Sequence, residues 1–433
     1  MRDSHSETPW ILSSSRTLRL FTIFILYIAQ GIPIGLFWYA IPAWMAANGA
    51  DARDVAWVLG LTALPWSLKL VNGFLMDRYA FLPMGRRRAW ILGAQLIMIL
   101  VFVSAALIQP AASDILLLGL FGFIGNAATT FQDVGVDSMA VDLLPERERA
   151  RGGGMMFGGQ LIGTALATAG TGWAIMALGA SGAYLLAAGA ILLVTVYIAA
   201  VRERDNERHF PWSAGEAHPV NLERHVGRWG PIFRTTLQSV LLPVSLFWAV
   251  TLLIRGAQYG VMAGITPLIG VSEAGLSEAE VTSLTGTAQL VAGVAGLTLG
   301  SWLGERLGAK WSSIVLLAAW VLFDGAMMLA EPLWSEAAFA PWFIIAWFAL
   351  DTLLTVVAIP ISMRLCNVTV AATQFTIYMA LFNLGITLGT VLLGLSERLG
   401  GLVALFPILI AGNLLALAIM LLVPLPRRAV GSG

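Results

Sequence analysis

The chain is laid out as long apolar runs separated by short polar segments. A helix needs ~20 apolar residues to cross ~30 Å of hydrocarbon. The 433 residues hold twelve such runs, near 18–44, 54–76, 89–109, 115–141, 152–178, 182–201, 240–268, 280–303, 311–330, 339–364, 373–395 and 402–424. No cue for strands competes with them. The pattern predicts an all-α integral membrane protein with twelve transmembrane helices. Its first run follows a 17-residue polar tail, exceeds the length of a signal h-region and lacks a small-residue cleavage site. It is therefore expected to stay as a helix and not to be cleaved as a signal peptide.

Composition strengthens this reading: 58% of residues are hydrophobic, 12% are charged and the mean hydropathy is +0.81, far from soluble globular values. The formal net charge is zero, so no global basic field suggests nucleic acid as a partner. Where the cations fall says more. With the N-terminus inside and twelve crossings, the cytoplasmic segments hold 21 of the 25 Lys and Arg. The opposite loops hold Arg53 and Arg398, and Lys69 and Arg255 lie within the membrane. That asymmetry is the positive-inside rule, and it places both termini in the cytoplasm.

The two halves repeat. Ala29-Gln30-Gly31 and Ala257-Gln258-Tyr259-Gly260 are offset by 228 at the glutamine, and Asp77 and Glu305, at the ends of helices 2 and 8, share that offset. One spacing at two places implies a duplicated six-helix unit, residues 1–201 and 236–433, joined by a polar, Pro-containing linker at 202–235. Asp77 is followed by Arg86, Arg87 and Arg88, and Glu305 by Arg306.

These loops resemble the gating loops of major facilitator transporters. Gln132-Asp133-Val134-Gly135-Val136-Asp137, Asp142-Leu143-Leu144-Pro145-Glu146 and Arg149 to Gly152 are similar to the end of helix 4 and the next loop in the AmpG-like muropeptide permeases and their relatives, the acetyl-coenzyme A transporters. Met363-Arg364-Leu365-Cys366-Asn367, followed by Ala372-Thr373-Gln374-Phe375, resembles the helix 10 to 11 junction of the AmpG-like branch. The resemblance implies two six-helix pseudo-repeats in the major facilitator fold, with import of anhydro-muropeptides and protons across a bacterial inner membrane by a monomer. Met139-Ala140-Val141 departs from the muropeptide permeases and looks more like the branch that imports siderophores. Uptake of a siderophore or another amphipathic anion is thus the alternative substrate reading. A non-transporting membrane sensor is the rival of another class.

Ionisable side chains inside the bilayer cost at least ~2.5 kcal/mol each and usually face a bundle interior or a wet cavity. Lys69 lies ~12 Å and Asp133 ~14 Å from the same membrane face at 1.5 Å per residue. Asp133 and Asp137 are i and i+4 on one face of helix 4, so Lys69 can pair with either. The three are expected to serve proton coupling, or to tie helices 2 and 4 together. Asp351, ~18 Å into helix 10, is the mid-membrane carboxyl suited to take a proton from one side and release it on the other, or to be held by a partner such as Arg255. Arg255 on helix 7 suits an anionic substrate, since a guanidinium is always charged and grips carboxylate in a fork. Asp324 falls on helix 9, an outer helix of that fold.

Uncharged candidates for substrate contact are Gln30, Trp38, Tyr39, Gln132, Gln160, Gln258, Tyr259 and Asn383. Asp77, Arg86, Arg87, Arg88, Glu305 and Arg306 are expected to form gating contacts that exist only while the cytoplasmic side is closed. Other chemistries find no support. Gly152 to Gly154 lacks the Gly-Lys-Ser/Thr ending of a phosphate-cradling loop. Cys366 is the lone cysteine, and His5, His209, His218 and His225 lie in the tail or linker, so neither a metal nor another cofactor is expected. No nucleophile, base and orienting group can be assembled at membrane depth, and the chain does not read as an enzyme.

Overall fold

The structure is a computed structural model and describes residues Trp10–Leu425; His5 and the last residues of the C-terminal tail lie outside them. Among the described residues it is helical throughout, apart from one isolated parallel bridge between Ile11 and Arg202. Among the described residues nine helices are long and apolar enough to cross a membrane, and the pair Arg53–Leu68 and Leu70–Arg78, bent by 44°, makes a tenth span. Two of the nine are of double length. Glu146–Ala200 breaks at Gly179 (φ 73°) and Glu280–Leu329 breaks at Gly308 (φ 77°). Side-chain-bearing residues rarely adopt that backbone conformation, and each break separates two spans, which makes twelve.

We label the spans α1 (Arg16–Ala47), α2 (Ala52–Leu68 with Leu70–Arg78), α3 (Arg88–Ile108), α4 (Ile115–Leu143), α5 and α6 (149–178 and 180–200), α7 (Pro243–Glu273), α8 and α9 (278–307 and 309–329), α10 (Phe339–Leu365), α11 (Ala371–Gly394) and α12 (Leu405–Leu422). Their starts are chemically marked. Ser15 caps α1 through Leu18 N–H at 3.3 Å, Asp51 caps α2 through Asp54 N–H at 2.8 Å, and Ser277 with Glu280 forms a capping box on α8. Within α1 and α7 a π-helical turn follows a proline closely, Gly35–Ala40 after Pro33 and Leu268–Glu273 after Pro267. Proline brings no N–H to the helical ladder, which loosens it locally.

Large apolar side chains stay outside all along the spans; Leu193 is 75% exposed and Leu322 74%. Helices that are apolar on every face suit hydrocarbon. Buried polar groups instead collect on the inner faces, among them Gln30, Asn126, Asp133, Gln258 and Asp324.

By its contacts the chain divides into two compact units, one of residues through Leu144 with Leu166–Ile232, the other of Pro145–Ala165 with the residues from Phe233 onward. In the first unit the segment after α6 is folded rather than a bare polar connection. It holds the short helix Pro219–Arg224 and begins a further helix, Trp229–Val240. That helix crosses the linker end expected at 235, because Trp229, Phe233 and Leu237 recur every four residues as a helical apolar stripe.

Glu203 ties this segment to α3. Its carboxylate accepts from the backbone N–H groups of Arg86 at 2.9 Å, Arg87 at 2.8 Å and Arg88 at 2.6 Å, filling the positive helix start with an anion. Gly85 makes room for it. Its φ is +98°, and a Cβ there would stand 2.5 Å from the Glu203 carboxyl carbon. Gly85→Ala is therefore expected to destabilise the protein by ~1–3 kcal/mol. Thermal unfolding of the purified protein in detergent would show the loss, and an unchanged midpoint would exclude this role for Gly85.

Candidate functional site

In the first unit the buried polar groups converge on α4. Asp133 Oδ2 lies 3.1 Å from Lys69 Nζ, and its Oδ1 accepts from Gln30 Nε2 at 2.7 Å. The Tyr27 hydroxyl donates to Asp137 Oδ1. All five side chains are buried. Lys69 stands at the break between the two halves of α2, where its ammonium also lies 5.6 Å from the centre of the Trp66 ring. Gln132 donates to the Leu26 carbonyl at 2.9 Å, while its own Oε1 is buried without a partner among the described residues. Next to this group, Asn126 Oδ1 accepts from the indoles of Trp66 at 2.9 Å and Trp38 at 3.3 Å. Neither Tyr27 nor Asn126 is among the candidates read from the sequence. The i, i+3 spacing of Tyr27 and Gln30 was the available signal.

The second unit has its own buried network. Gln258 Nε2 donates to Asp324 Oδ1 at 2.8 Å, and Asn413 Nδ2 lies 2.9 Å from both Asp324 Oδ2 and Gln258 Oε1. Asp324 is fully buried and has no ion-pair partner among the described residues. Gln30 and Gln258, related by the 228 offset, thus each hold a buried aspartate, but one from α4 and the other from α9. A second group surrounds Arg255. Its Nη2 donates to Thr355 Oγ1 at 2.8 Å, the Thr355 hydroxyl bonds the Asp351 carboxylate, and the guanidinium lies 5.5 Å from the centre of the Phe382 ring. Tyr259 packs against Phe382 at 6.2 Å and Trp347 at 5.7 Å. Arg255 Nε is buried without a hydrogen bond among the described residues.

Two of the expected contact residues stand apart. Tyr39 is 41% exposed in the π-helical turn of α1, and Asn383 is exposed on α11.

The loop groups divide by unit. Arg87 Nη2 meets Asp77 Oδ1 at 2.5 Å. Arg86 approaches Asp142 at 3.4 Å, and burial, with Arg87 beside it, pulls its guanidinium down to about 10. Arg88 is spent on the carbonyls of Ile198, Ala199, Arg208 and His209 at 2.6–3.1 Å. In the second unit Arg151 grips Glu305 through Nε at 2.9 Å and Nη2 at 2.7 Å, a fork geometry, while Arg306 is exposed. The α10–α11 junction is locked by Gln374, which accepts from Asn367 N–H at 2.7 Å and donates to the Leu365 carbonyl at 2.8 Å. No cluster of three or more His, Cys, Asp or Glu that could hold a metal occurs among the described residues.

Set against known proteins, residues 22–282 match the profile of the Major Facilitator Superfamily. The chain belongs to that superfamily. It is 25% identical to the anhydromuropeptide permease of Escherichia coli strain K12 over 386 residues, 86% of this chain and 74% of the relative. Among solved structures it superposes on the proton:xylose symporter XylE with a TM-score of 0.68 and 12% identity, covering 95% of this chain and 97% of that one. A bacterial homologue of the iron transporter ferroportin gives 0.66 at 12% identity, over 93% and 98%. At these identities the structures establish the fold. The protein is a multi-pass membrane transporter of the major facilitator superfamily, with a small-molecule substrate and an AmpG-like relative spanning most of its length.

The polar contacts of this transporter lead to two expected outcomes. Lys69→Met strands a buried carboxylate and should cost ~3–5 kcal/mol. Adding Asp133→Asn should restore most of it, and a double-mutant cycle on thermal unfolding reads the coupling directly. The second concerns Glu207 in the folded segment after α6. It accepts from Arg204 N–H at 2.9 Å and Asn221 Nδ2 at 2.6 Å, yet burial and the charge of Glu203 push its carboxyl up to about 8. A folded-state value above the unfolded one of 4.5 means that the stability it lends is whole below pH 4.5 and is lost as pH rises toward 8. Hydrogen exchange of residues 202–224 should therefore quicken over that range, and Glu207→Gln should flatten the change.

Proposed function

We propose that the protein is a secondary active, proton-driven importer of anhydro-muropeptides in the bacterial inner membrane, with both termini in the cytoplasm. It works as a monomer whose six-helix halves are residues 1–201 and 236–433, joined by 202–235. The observation that carries the coupling is the group of Lys69, Asp133 and Asp137. Two carboxylates face one ammonium, and a single bound proton brings the group to neutrality without moving any other charge. Tyr27 and Gln30 hold the two acids in place and leave the proton as the mobile element.

The substrate reading rests on the anhydromuropeptide permease that matches most of this chain, and the chemistry around Arg255 suits it. A guanidinium with a free buried Nε, flanked by the rings of Phe382 and Tyr259, offers a fork for a peptide carboxylate and apolar faces for a sugar. Arg255 shares its charge with Asp351 through Thr355. An anion bound to Arg255 draws that cation away from Asp351, and a proton on Asp351 restores the balance. In the second unit Gln258 and Asn383 are further candidates for substrate contact, as Gln30, Tyr39 and Gln132 are in the first. Asp77 with Arg87 and Glu305 with Arg151 act as the gate clamps, supported by Arg86, Arg88 and Arg306. They bias the two end states by the few kcal/mol that suffice to shift such an equilibrium.

The test is uptake of labelled anhydro-muropeptide by proteoliposomes, with and without an inward proton gradient, beside a ferric siderophore. Gradient-driven muropeptide uptake is expected, lost in Asp133→Asn and in Asp351→Asn. Siderophore uptake alone would overturn the substrate, and muropeptide uptake indifferent to the gradient would overturn the coupling.

A further inference from the structure

The first unit carries a cavity of about 720 Å³ that the proposed transport cycle does not use. It opens where α2 ends and α3 begins. Its wall is aromatic, with Trp90 and Phe131 stacked at 5.5 Å and an interplanar angle of 3°. The Trp90 indole N–H is already taken by the Tyr79 carbonyl at 2.6 Å, so this wall presents carbon. Gly93 and Ile97 continue the apolar surface along α3, and nothing stands within 4 Å of where a Cβ on Gly93 would be.

The positive charge at the cavity comes from Arg78. His225 lines it as well, and among the described residues no carboxylate does. Arg78 Nε is buried and makes no hydrogen bond to the described residues, while its guanidinium leans on the Tyr79 ring at 4.8 Å. Asp77, the acid felt by His225, is already matched by Arg87. Burial, together with the charges of Arg86, Arg87 and Arg78, holds His225 below its usual value. The cavity mouth therefore has positive charge to spare and a donor without an acceptor.

We infer that this cavity is a binding site for an anionic phospholipid, its phosphate on Arg78 and His225 and one acyl chain along Trp90, Phe131 and Ile97. An apolar slot beneath a basic mouth, on a protein that spans the bilayer, matches both parts of such a lipid, and basic pockets of this kind select acidic headgroups. Tyr79 and Trp229, whose rings meet edge to face at 6.0 Å, supply the amphipathic aromatics that favour headgroup depth. A free phosphate would use Arg78 and His225 but leave the slot empty.

Native mass spectrometry of the purified protein with added phosphatidylglycerol, phosphatidylcholine or inorganic phosphate tests this. Phosphatidylglycerol should be retained in preference to phosphatidylcholine, and inorganic phosphate should not displace it. Arg78→Gln should weaken retention by about fivefold, the contribution of one cation near an anionic headgroup, and His225→Phe, which removes a ring N–H donor and no charge, should weaken it less. Gly93→Leu, which adds a good helix former, should fill the slot and abolish retention while leaving Arg78 and His225 in place. Equal retention of the two lipids, displacement by phosphate, or wild-type lipid binding by Gly93→Leu would each overturn the proposal.

Discussion

Lys69 and Asp133, 3.1 Å apart inside a bundle of apolar helices, show the constraint on which the polar architecture depends. Water cannot solvate a charge at that depth, so each ionised group must be answered by another group of the same chain. The answer here crosses helices: α2 supplies the cation, α4 the acids, and α1 the hydroxyl of Tyr27 and the amide of Gln30 that complete them. The three helices are thereby held in register by these buried polar groups. The α2 break at Lys69 places that ammonium at a bend, where the helix is least regular.

The folded segment after α6 obeys the same constraint in a wetter setting. Three arginines in a row would repel one another, and the structure disperses them. Arg87 goes to Asp77, Arg86 toward Asp142, and Arg88 to a ring of backbone carbonyls. Their three backbone N–H groups all point to the carboxylate of Glu203. Asp142 in turn receives Arg204 at 2.8 Å and Arg224 at 2.5 Å. The segment therefore works as a brace for the start of α3, beside the buried Asp77–Arg87 pair.

The two units solve the burial of a carboxylate differently. Asp133 has a cation and an amide; Asp324 has two amides and no cation among the described residues. Gene-scale duplication leaves the glutamine at corresponding positions, Gln30 and Gln258, and lets the acid arrive from another helix. The repeat thus conserves a donor and not a pair. Such divergence gives one transporter two polar centres of unlike character, one charge-compensated and one held by neutral hydrogen bonds.

Much of this was open to reading in one dimension. The twelve apolar runs, the asymmetry of the arginines and the 228-residue offset follow from transfer energetics and duplication, which act on local stretches of chain; the membrane class and the superfamily fold come from them. The pairing of Lys69 with an acid of helix 4 was within reach because depth along a helix can be counted. Side-chain direction and the partners that come from distant helices could not be counted in this way. Asp324 reads as a residue of an outer helix, yet it faces Asn413, 89 residues away. Arg86, Arg87 and Arg88 read as a shared patch and are used separately, and residues 202–228 read as a polar connection and are a brace. A hydrogen bond depends on a few tenths of an ångström and on angle, and those are settled only when distant segments pack.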